Sequence, residues 1–207
     1  MNLKDADIAI LSHGHYDHGG GLEKFLEINT NAPVYLSRYA FGDYYNGQEK
    51  YIGLDKKLKD NKRLIFTEDE LQIDDNLFLY SCNKSEKKYD SGSSGLTELK
   101  NNSFIPDRFL HEQYLLIKEN SRTFLISGCS HKGILDITEW FSPDVLVGGF
   151  HFSKFPLDEK LKEYAEILQK SGTTFYTCHC TGTEQYEFMK KYIKNLHYLP
   201  CGKTIQE

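Results

Sequence analysis

Four side chains that commonly bind metal ions lie close together near the start of the chain. His13, His15, Asp17 and His18 occupy four of six consecutive positions, directly after the apolar residues 6–11. Alternate residues of an extended segment point the same way, so we expect the first two imidazoles on one side and the other pair turning towards them. Imidazole and carboxylate are ligands that Zn²⁺, Mn²⁺ and Fe²⁺ share. The cluster therefore predicts a metal site where a strand ends.

A histidine-rich run can also be a purification tag or an adventitious surface site. Here a strand-like run precedes the cluster, and three glycines follow it and open an amphipathic stretch that begins at Leu22. This order of elements, a strand, then a turn with the ligands, then a helix, is typical of a metal site that is part of the fold. We therefore prefer the metal-site interpretation.

Length and composition limit the class of protein. The chain has 207 residues, enough for one well-buried core, and we predict a single domain over residues 1–207. No apolar run approaches the roughly 18 residues that a membrane span needs. The start of the chain lacks the basic-then-apolar order of a signal peptide. These features predict a soluble cytoplasmic protein.

Cysteine usage and charge narrow the class further. The five cysteines are an odd number without a repeated spacing, which argues against a disulfide framework. The formal net charge of −5 offers no overall attraction to a phosphate backbone. The locally basic residues 56–63 and 84–88 are interpreted as solvated loop faces. A small-molecule substrate is favoured over nucleic acid or a membrane.

Strands and helices alternate along the second half of the chain. We predict strands over residues 114–118, 123–127, 144–147 and 174–178, and helices over 132–140, 157–169 and 185–193. The tyrosine-bearing residues 41–63 show no sustained period and are predicted to form a loop or lid. The polar, glycine- and serine-rich stretch around 83–110 is predicted to be a flexible excursion. The pattern indicates layered α/β packing.

Four motifs carry a resemblance to a known family. They are Leu-Ser-His-Gly-His-Tyr-Asp-His-Gly-Gly-Gly-Leu at 11–22, Ser-Gly-Cys-Ser-His-Lys-Gly at 127–133, Gly-Gly-Phe-His at 148–151 and Cys-His-Cys-Thr-Gly at 178–182. The first contains the His-x-His-x-Asp-His signature, and the sequence resembles the metallo-β-lactamase fold superfamily. More narrowly, it resembles the branch of dihydropterin ribofuranosylaminobenzene phosphate synthase-like proteins. The resemblance implies an αββα sandwich of two mixed sheets with outer helices.

Relatives in this branch have a few strands ahead of the signature, including an Asp-x-Gly loop. Here the signature begins at residue 13, so the first sheet is expected to lack N-terminal strands. An exposed sheet edge can pair between subunits. We therefore expect either a homodimer formed through that edge or poor solubility.

The resemblance also implies a dinuclear ligand set. One ion, Zn²⁺ with Mn²⁺ or Fe²⁺ as alternatives, is assigned to His13, His15 and His131. A second ion is assigned to Asp17, His18 and His179. Whether one or two ions bind stays open. His15 stands where the superfamily's di-iron flavoproteins have Glu, which disfavours an oxygen-reducing di-iron centre.

Several residues near these ligands keep alternative roles. Cys129 stands where a bridging Asp is common, and it is either a thiolate ligand or a small buried thiol. His151 is a candidate for a ligand or a substrate-binding group. Thr181 is a candidate for anion binding or simple helix capping. His111 and Glu112 are equal candidates for a further ligand, whereas His197 is interpreted as structural.

Three functions are compatible with these residues. The first is a metal-dependent hydrolase that uses a metal-activated water on a small ester or phosphorylated substrate, with Asp17 as the catalytic carboxylate. The second, implied by the branch, is a dihydropterin-linked transferase in which tyrosines such as Tyr16, Tyr44, Tyr45 and Tyr51 stack on the pterin. The third is a catalytically silent metal-binding protein.

Overall fold

A computed structural model describes residues 2–90 and 92–205 of the chain. The chain divides into two compact units. The first comprises residues 1–84 and 92–115, and the second comprises 85–91 and 116–207. Each unit is described separately below. The single domain predicted over residues 1–207 stays a prediction.

The first unit is built mainly of short strands. It contains β1 (Ala9–Ile10), α1 (Tyr16–Gly19), α2 (Leu22–Ile28), β2 (Val34–Ser37), β3 (Tyr44–Asn46), β4 (Lys50–Tyr51), β5 (Leu64–Thr67), β6 (Glu70–Gln72), β7 (Leu77–Tyr80), β8 (Leu96–Lys100) and β9 (Ser103–Pro106). Two 3₁₀ turns at Leu3–Asp5 and Lys56–Leu58 complete it. The next strand, β10 (Tyr114–Glu119), begins in this unit and ends in the second.

A parallel sheet carries the histidine-rich turn of the first unit. Its strand order is β1-β2-β5, and α2 lies between β1 and β2 in the chain. Leu22 is buried in the same apolar cluster as Leu11, Leu36 and Leu64. Burial of these side chains is the main force that holds the sheet and helix together. The predicted strand before the cluster and the helix after it are both confirmed.

The tyrosine-bearing residues 41–63, predicted as a loop or lid, contain one short hairpin within otherwise mainly irregular backbone, and the lid role stays a prediction. Residues 44–46 and 50–51 form the antiparallel hairpin β3–β4, and β3 also pairs with β8. Tyr45 packs edge-on against Tyr51 with ring centroids 5.4 Å apart, so aromatic pairing across the hairpin supports strands that a period-based prediction does not detect.

The predicted flexible excursion around residues 83–110 contains regular structure. β8 pairs with β9 as an antiparallel hairpin over residues 97–106. Asn101 and Asn102 make the turn with φ of 50° and 60°, which matches the positive φ values that tight hairpin turns need. Residue 91 lies outside the described residues, and flexibility of the stretch stays a prediction.

The second unit is a row of parallel strands joined by helices. It contains β11 (Arg122–Ile126), α3 (Ile134–Phe141), β12 (Val145–Val147), α4 (Glu159–Lys170), β13 (Thr174–Thr177), a 3₁₀ turn at His179–Thr181, α5 (Thr183–Met189) and β14 (Leu196–Tyr198). β11 pairs with β12, β12 with β13 and β13 with β14, all in parallel. Each helix is the crossover that a parallel pair requires.

The helices of the second unit confirm the sequence pattern. In α4, Leu161, Ala165 and Leu168 are buried, as the helical spacing predicted. The Asp158 side chain accepts hydrogen bonds from the backbone of Lys160 and Leu161 and caps the start of the helix. Gly172 follows the last turn with φ of 76°, the left-handed conformation that glycine adopts without strain.

Residues 86–89, which are counted with the second unit, bind helix α3. The backbone N–H groups of Lys88 and Tyr89 donate to the Asp136 carboxylate at 2.7 and 3.3 Å. The Trp140 indole donates to the Glu86 carbonyl at 3.1 Å. Across both units, none of the described helices is both long and apolar enough to cross a membrane.

Candidate metal centre

The histidines of the first motif converge within the first unit. They follow β1 in the turn that leads through α1 into α2. The ring centroid of His13 lies 4.8 Å from that of His15 and 4.1 Å from that of His18. His13 and His15 are buried, and His18 is partly exposed. The alternation expected from an extended segment accounts for His13 and His15, and the turn into α1 brings the His18 ring beside them.

This group of rings fits a divalent cation. Three imidazoles at such spacing would repel one another if protonated, whereas each neutral ring offers a lone pair. The Asp17 carboxylate adds an oxygen donor, with Oδ2 lying 3.8 Å from His18 Nε2. Neutral nitrogen and carboxylate donors match the preferences of Zn²⁺, Mn²⁺ and Fe²⁺. These donor types are common to all three ions, and the choice of ion is part of the proposed function.

Asp107 and His111 lie directly behind the ligand turn. The backbone N–H of Gly14 donates to His111 Nδ1 at 3.0 Å, and His111 Nε2 lies 3.2 Å from Asp107 Oδ2. The same carboxylate oxygen lies 3.5 Å from His15 Nε2. Both ring nitrogens of His111 are thus engaged inside the unit. These contacts let His111 hold the turn in place, and its role as a further ligand stays a prediction.

The buried charges of this group depend on one another. Burial alone would raise the pKa of Asp107, but hydrogen bonds from His111 and His15 outweigh burial and hold that pKa well below its ordinary value. Burial lowers the pKa of His111 despite the neighbouring carboxylate. A neutral His111 beside an ionised Asp107 follows. Glu112, the other candidate ligand, is buried and accepts a hydrogen bond from the Tyr114 hydroxyl at 2.6 Å.

Gln113 is a further positioning residue. Its side-chain amide donates to the Leu11 carbonyl at 2.8 Å and accepts from the Thr67 hydroxyl at 2.5 Å. Its backbone N–H donates to the Ser12 carbonyl at 2.8 Å. The end of β1 is therefore fixed just before the first histidine. Neither Asp107 nor Gln113 was predicted from the sequence, because neither lies in a motif or in a periodic segment.

The second unit gathers another set of candidate residues at one sheet edge. Parallel strands β11, β12 and β13 end at the same edge, and their following loops carry Cys129, His131, His151, His179 and Cys180. Gly149 donates to the Gly128 carbonyl at 2.9 Å, so two of these loops stay paired beyond the strands. The ring centroids of His131 and His151 lie 4.3 Å apart.

Backbone strain is concentrated in these loops. Ser130, His151 and His179 have φ of 56°, 56° and 53°, in the left-handed region that residues other than glycine rarely adopt. Such residues cluster at functional sites, where surrounding contacts hold them. His131 is buried, whereas His179 is exposed. Two of the three strained residues were predicted as site residues from the sequence.

Thiol and hydroxyl groups in these loops form hydrogen bonds with neighbouring residues. A hydrogen bond from Cys129 and the neighbouring His151 lower the pKa of the Cys180 thiol to about 5, against the effect of burial. The Thr181 hydroxyl accepts from the Phe150 N–H at 2.9 Å. That contact gives Thr181 a structural role inside the unit, and its anion-binding role stays a prediction.

The remaining candidates behave as packing residues. Tyr44 is buried with its ring centroid 4.0 Å from that of His111, and its hydroxyl donates to the Tyr39 carbonyl at 2.6 Å. His197 is exposed and stacks on Tyr176 at 5.0 Å between centroids, which agrees with its structural interpretation. Tyr16 is exposed. The complete ligand set drawn from both halves of the sequence stays a prediction.

Comparison with known proteins identifies relatives along the whole chain. The model of the metallo-beta-lactamase superfamily matches residues 1–129. The chain is 27% identical to the 7,8-dihydropterin-6-methyl-4-(beta-D-ribofuranosyl)-aminobenzene-5'-phosphate synthase of Methanocaldococcus jannaschii, over 100% of this chain and 77% of that protein. It is 28% identical to the uncharacterized protein MJ0448 of the same organism, over 96% and 78%.

Solved structures show the same fold. The metal-dependent hydrolase Tm1679 of the beta-lactamase superfamily superposes with a TM-score of 0.79 and 29% identity, over 96% of this chain and 78% of that one. An isothiocyanate hydrolase from Delia radicum gut bacteria superposes with a TM-score of 0.54 and 16% identity, over 99% and 77%, and shows the fold alone. The predicted α/β class and fold are confirmed. The chain belongs to the metallo-beta-lactamase superfamily.

Proposed function

We propose that the protein is a metal-dependent hydrolase of a small ester or phosphorylated substrate. The observation that carries the proposal is the convergence of the buried His13 and His15 rings with the partly exposed His18 ring in a fold shared with a metal-dependent hydrolase. A zinc ion is the first choice of cofactor, and Mn²⁺ and Fe²⁺ are the alternatives. The proposed ligands are His13, His15, Asp17, His18, His131 and His179.

Polar contacts within the first unit support a proposal for which ring atoms would face an ion. The Ser12 hydroxyl lies 3.0 Å from His13 Nδ1, so Nε2 is the proposed donor atom of His13. Asp107 lies beside His15 Nε2, so Nδ1 is the proposed donor atom of His15. A carboxylate behind a ligating histidine fixes its tautomer and raises its basicity.

A bound divalent ion supplies Lewis-acid catalysis and lowers the pKa of water towards about 7. The Asp17 side chain, 45% exposed, is proposed to accept a proton from the attacking water and to return it to the leaving group. Hydrolysis then consumes one water and releases an acid and an alcohol. His151 is proposed to bind the substrate's anionic group.

The test uses full-length protein stripped with a chelator and reloaded separately with Zn²⁺, Mn²⁺ or Fe²⁺. Cleavage of a chromogenic phosphodiester and of a thioester should return with at least one ion. His15→Ala should abolish cleavage, whereas His197→Ala, which changes an exposed histidine of β14, should keep it. Equal cleavage by the stripped protein and the reloaded protein would contradict the proposal.

A transferase related to the dihydropterin synthase is the second candidate. It is favoured by the 27% identity to that enzyme over 100% of this chain. If it is correct, a dihydropterin should raise the thermal midpoint of the metal-loaded protein, and a nucleobase of similar size should not. Metal binding with neither hydrolysis nor pterin protection would instead favour the catalytically silent metal-binding protein.

The homodimer predicted from the sequence is tested by light scattering at micromolar concentration.

A further inference from the structure

Four cationic side chains line an open cleft within the first unit, which is called the basic cleft below. They are Arg38 after β2, Lys59 after the 3₁₀ turn, Lys100 at the end of β8 and Arg108 after β9. The basic cleft has a volume of about 350 Å³. Pockets that bind small molecules have volumes of roughly 300–1,000 Å³. The basic cleft is therefore large enough for a small ligand.

The basic cleft is distinct from the candidate metal centre. Its lining includes none of the ligands proposed for the first unit, which are His13, His15, Asp17 and His18. The connection between the two is Tyr44, which lines the cleft and packs on His111 with 4.0 Å between ring centroids. A ligand in the cleft would thus lie beside Tyr44 and the four cations, and not on an ion-binding side chain.

The charges around the basic cleft do not balance. Three ion pairs lie at the cleft, and they join Arg38 to Glu68, Arg108 to Glu98 and Lys56 to Asp43. Lys59 and Lys100 form no ion pair with any residue in the described part of the chain. Two ammonium groups are left uncompensated, although the chain as a whole has a net charge of −5. A concave surface with excess positive charge attracts anions.

Arg108 supplies directional donors. Its side chain is 47% exposed, and among the described contacts it binds Glu98 through Nε alone. Arg38, by contrast, uses both terminal nitrogens, for Glu68 and for the Tyr39 hydroxyl. A guanidinium presents its N–H groups in a rigid fork that matches the oxygens of phosphate and carboxylate groups. The terminal nitrogens of Arg108 are therefore available to the oxygens of an anion, while the bond to Glu98 orients the guanidinium.

We propose that the basic cleft binds a small anion that carries a phosphate group. A phosphate monoester carries about two negative charges at neutral pH and presents three acceptor oxygens on one compact group. The Lys59 and Lys100 ammonium groups compensate those charges, and the Arg108 fork donates to the oxygens. The sequence analysis interpreted residues 56–63, which include Lys59, as a solvated face. The proposal goes beyond the hydrolase function and does not depend on it.

The experiment is a calorimetric titration of metal-free, full-length protein with sodium pyrophosphate at constant ionic strength. The metal-free protein is used so that pyrophosphate does not bind through an ion. We expect saturable binding at one site in the wild type. Arg108→Ala should weaken it about 10-fold or more, because hydrogen bonds to charged groups are the strong ones. Lys59→Ala and Lys100→Ala should each weaken it about threefold, as expected for exposed charges.

Lys57→Ala is the matched control. Lys57 is an exposed lysine of the same 3₁₀ turn as the residue before Lys59, and it does not line the basic cleft. Its replacement should leave the affinity for pyrophosphate unchanged. Absence of binding in the wild type, or equal weakening by Lys57→Ala and Lys59→Ala, would overturn the proposal.

Glu98→Gln should change the affinity in the opposite direction. The glutamine amide oxygen can still accept from Arg108 Nε, so the guanidinium keeps its position, but the cleft loses one negative charge. We expect pyrophosphate to bind about threefold more tightly. A merely structural role of Arg108 does not predict this gain. Unchanged or weaker binding in the folded Glu98→Gln protein would contradict the proposal.

A second measurement does not depend on the folding of any variant. In the wild type, pyrophosphate should slow the acetylation of Lys59 and Lys100 by acetic anhydride, read by peptide mass spectrometry, and should leave Lys57 unaffected. Succinate, a dicarboxylate, should protect the two lysines less at the same ionic strength. Equal protection by succinate, or protection of Lys57, would overturn the assignment to a phosphate group. Failure of the hydrolase assay leaves these outcomes unaffected.

Discussion

The backbone N–H of Gly14 donates a hydrogen bond to Nδ1 of His111 at 3.0 Å. An acceptor nitrogen carries no proton, so the proton of the neutral ring is on Nε2, which lies 3.2 Å from Asp107. Gly14 stands between the first two candidate ligands. The tautomer of His111 and the path of the ligand turn are therefore fixed by the same contact.

His111→Ala should weaken both folding and metal binding. It leaves the Gly14 N–H and the Asp107 carboxylate without this partner, and each buried unsatisfied group costs about 1–3 kcal/mol. We expect the free energy of unfolding of the metal-free protein to fall by about 2–4 kcal/mol in urea. Zn²⁺ affinity, measured by competition with a chromogenic chelator, should fall about 10–100-fold.

His111→Asn is the matched variant. Its amide oxygen can accept from the Gly14 N–H, so it should recover part of the stability and part of the affinity. Unchanged Zn²⁺ affinity in a folded His111→Ala protein would contradict a positioning role.

Gly14 is also required by the close approach of a neighbouring loop. A Cβ at this position would lie 2.3 Å from the Ala40 carbonyl oxygen, a backbone atom that cannot move away cheaply. Gly14→Ala should therefore lower the free energy of unfolding by about 1–3 kcal/mol, the usual cost of overpacking. Gly21→Ala is the control, because nothing lies within 4 Å of its Cβ. It should change stability by less than about 1 kcal/mol in the same urea titration.

The sequence predicted the parts of the site that depend on local pattern. His13 and His15 follow a strand, and their shared direction needs only the alternation of an extended segment, whereas His18 joins them through the turn into α1. The candidate residues of the second unit follow from a general property of parallel strands, whose ends meet at one edge. In both cases the period of the local structure determines where the side chains lie.

The supporting contacts could not be predicted in this way. His111 and Gly14 are separated by 97 residues, and so long a separation leaves no periodic trace in the sequence. Arg63 was interpreted as part of a solvated basic face, yet its guanidinium donates to the Asn29 carbonyl at 2.5 Å and helps to cap α2. Pairings of this kind depend on tertiary packing, which a single sequence does not reveal.

Asp144 should titrate below the ordinary range of an aspartate. The Thr123 N–H and hydroxyl donate to its carboxylate at 2.7 and 3.0 Å, and these hydrogen bonds lower the pKa of Asp144. A depressed pKa in the folded state means that the carboxylate stabilises the protein above its unfolded pKa of about 3.9. That stabilisation is lost as the pH falls through the folded pKa.

Two measurements check this prediction. A carboxyl ¹³C titration should place the pKa of Asp144 below about 3.9. The thermal midpoint of Asp144→Asn should lie below that of the wild type at neutral pH, and the difference should shrink in acid. Thr123→Val keeps the N–H donor and removes only the hydroxyl. It should therefore raise the pKa of Asp144 by less than the loss of both hydrogen bonds would. A pKa at or above the unfolded value would contradict the prediction.

Gln113 should be coupled energetically to Thr67 and should stabilise the strand that leads to the first histidine. The Thr67 hydroxyl donates to the Gln113 amide oxygen at 2.5 Å, and the amide nitrogen donates to the Leu11 carbonyl at 2.8 Å. Gln113→Met keeps the length of the side chain and removes all of these bonds. We expect it to lower the free energy of unfolding by about 2–4 kcal/mol, because buried polar groups lose their partners.

A double-mutant cycle with Thr67→Val separates this contact from general packing. The two single changes should each destabilise, and the double variant should lose less than their sum by about 0.5–3 kcal/mol, since the second change has no remaining partner to remove. Gln72→Met serves as the control, because Gln72 is exposed and bonds only to the Asp74 carbonyl at 3.1 Å among the described contacts. Strict additivity of the two single changes would show that Gln113 and Thr67 are not coupled and would contradict the prediction.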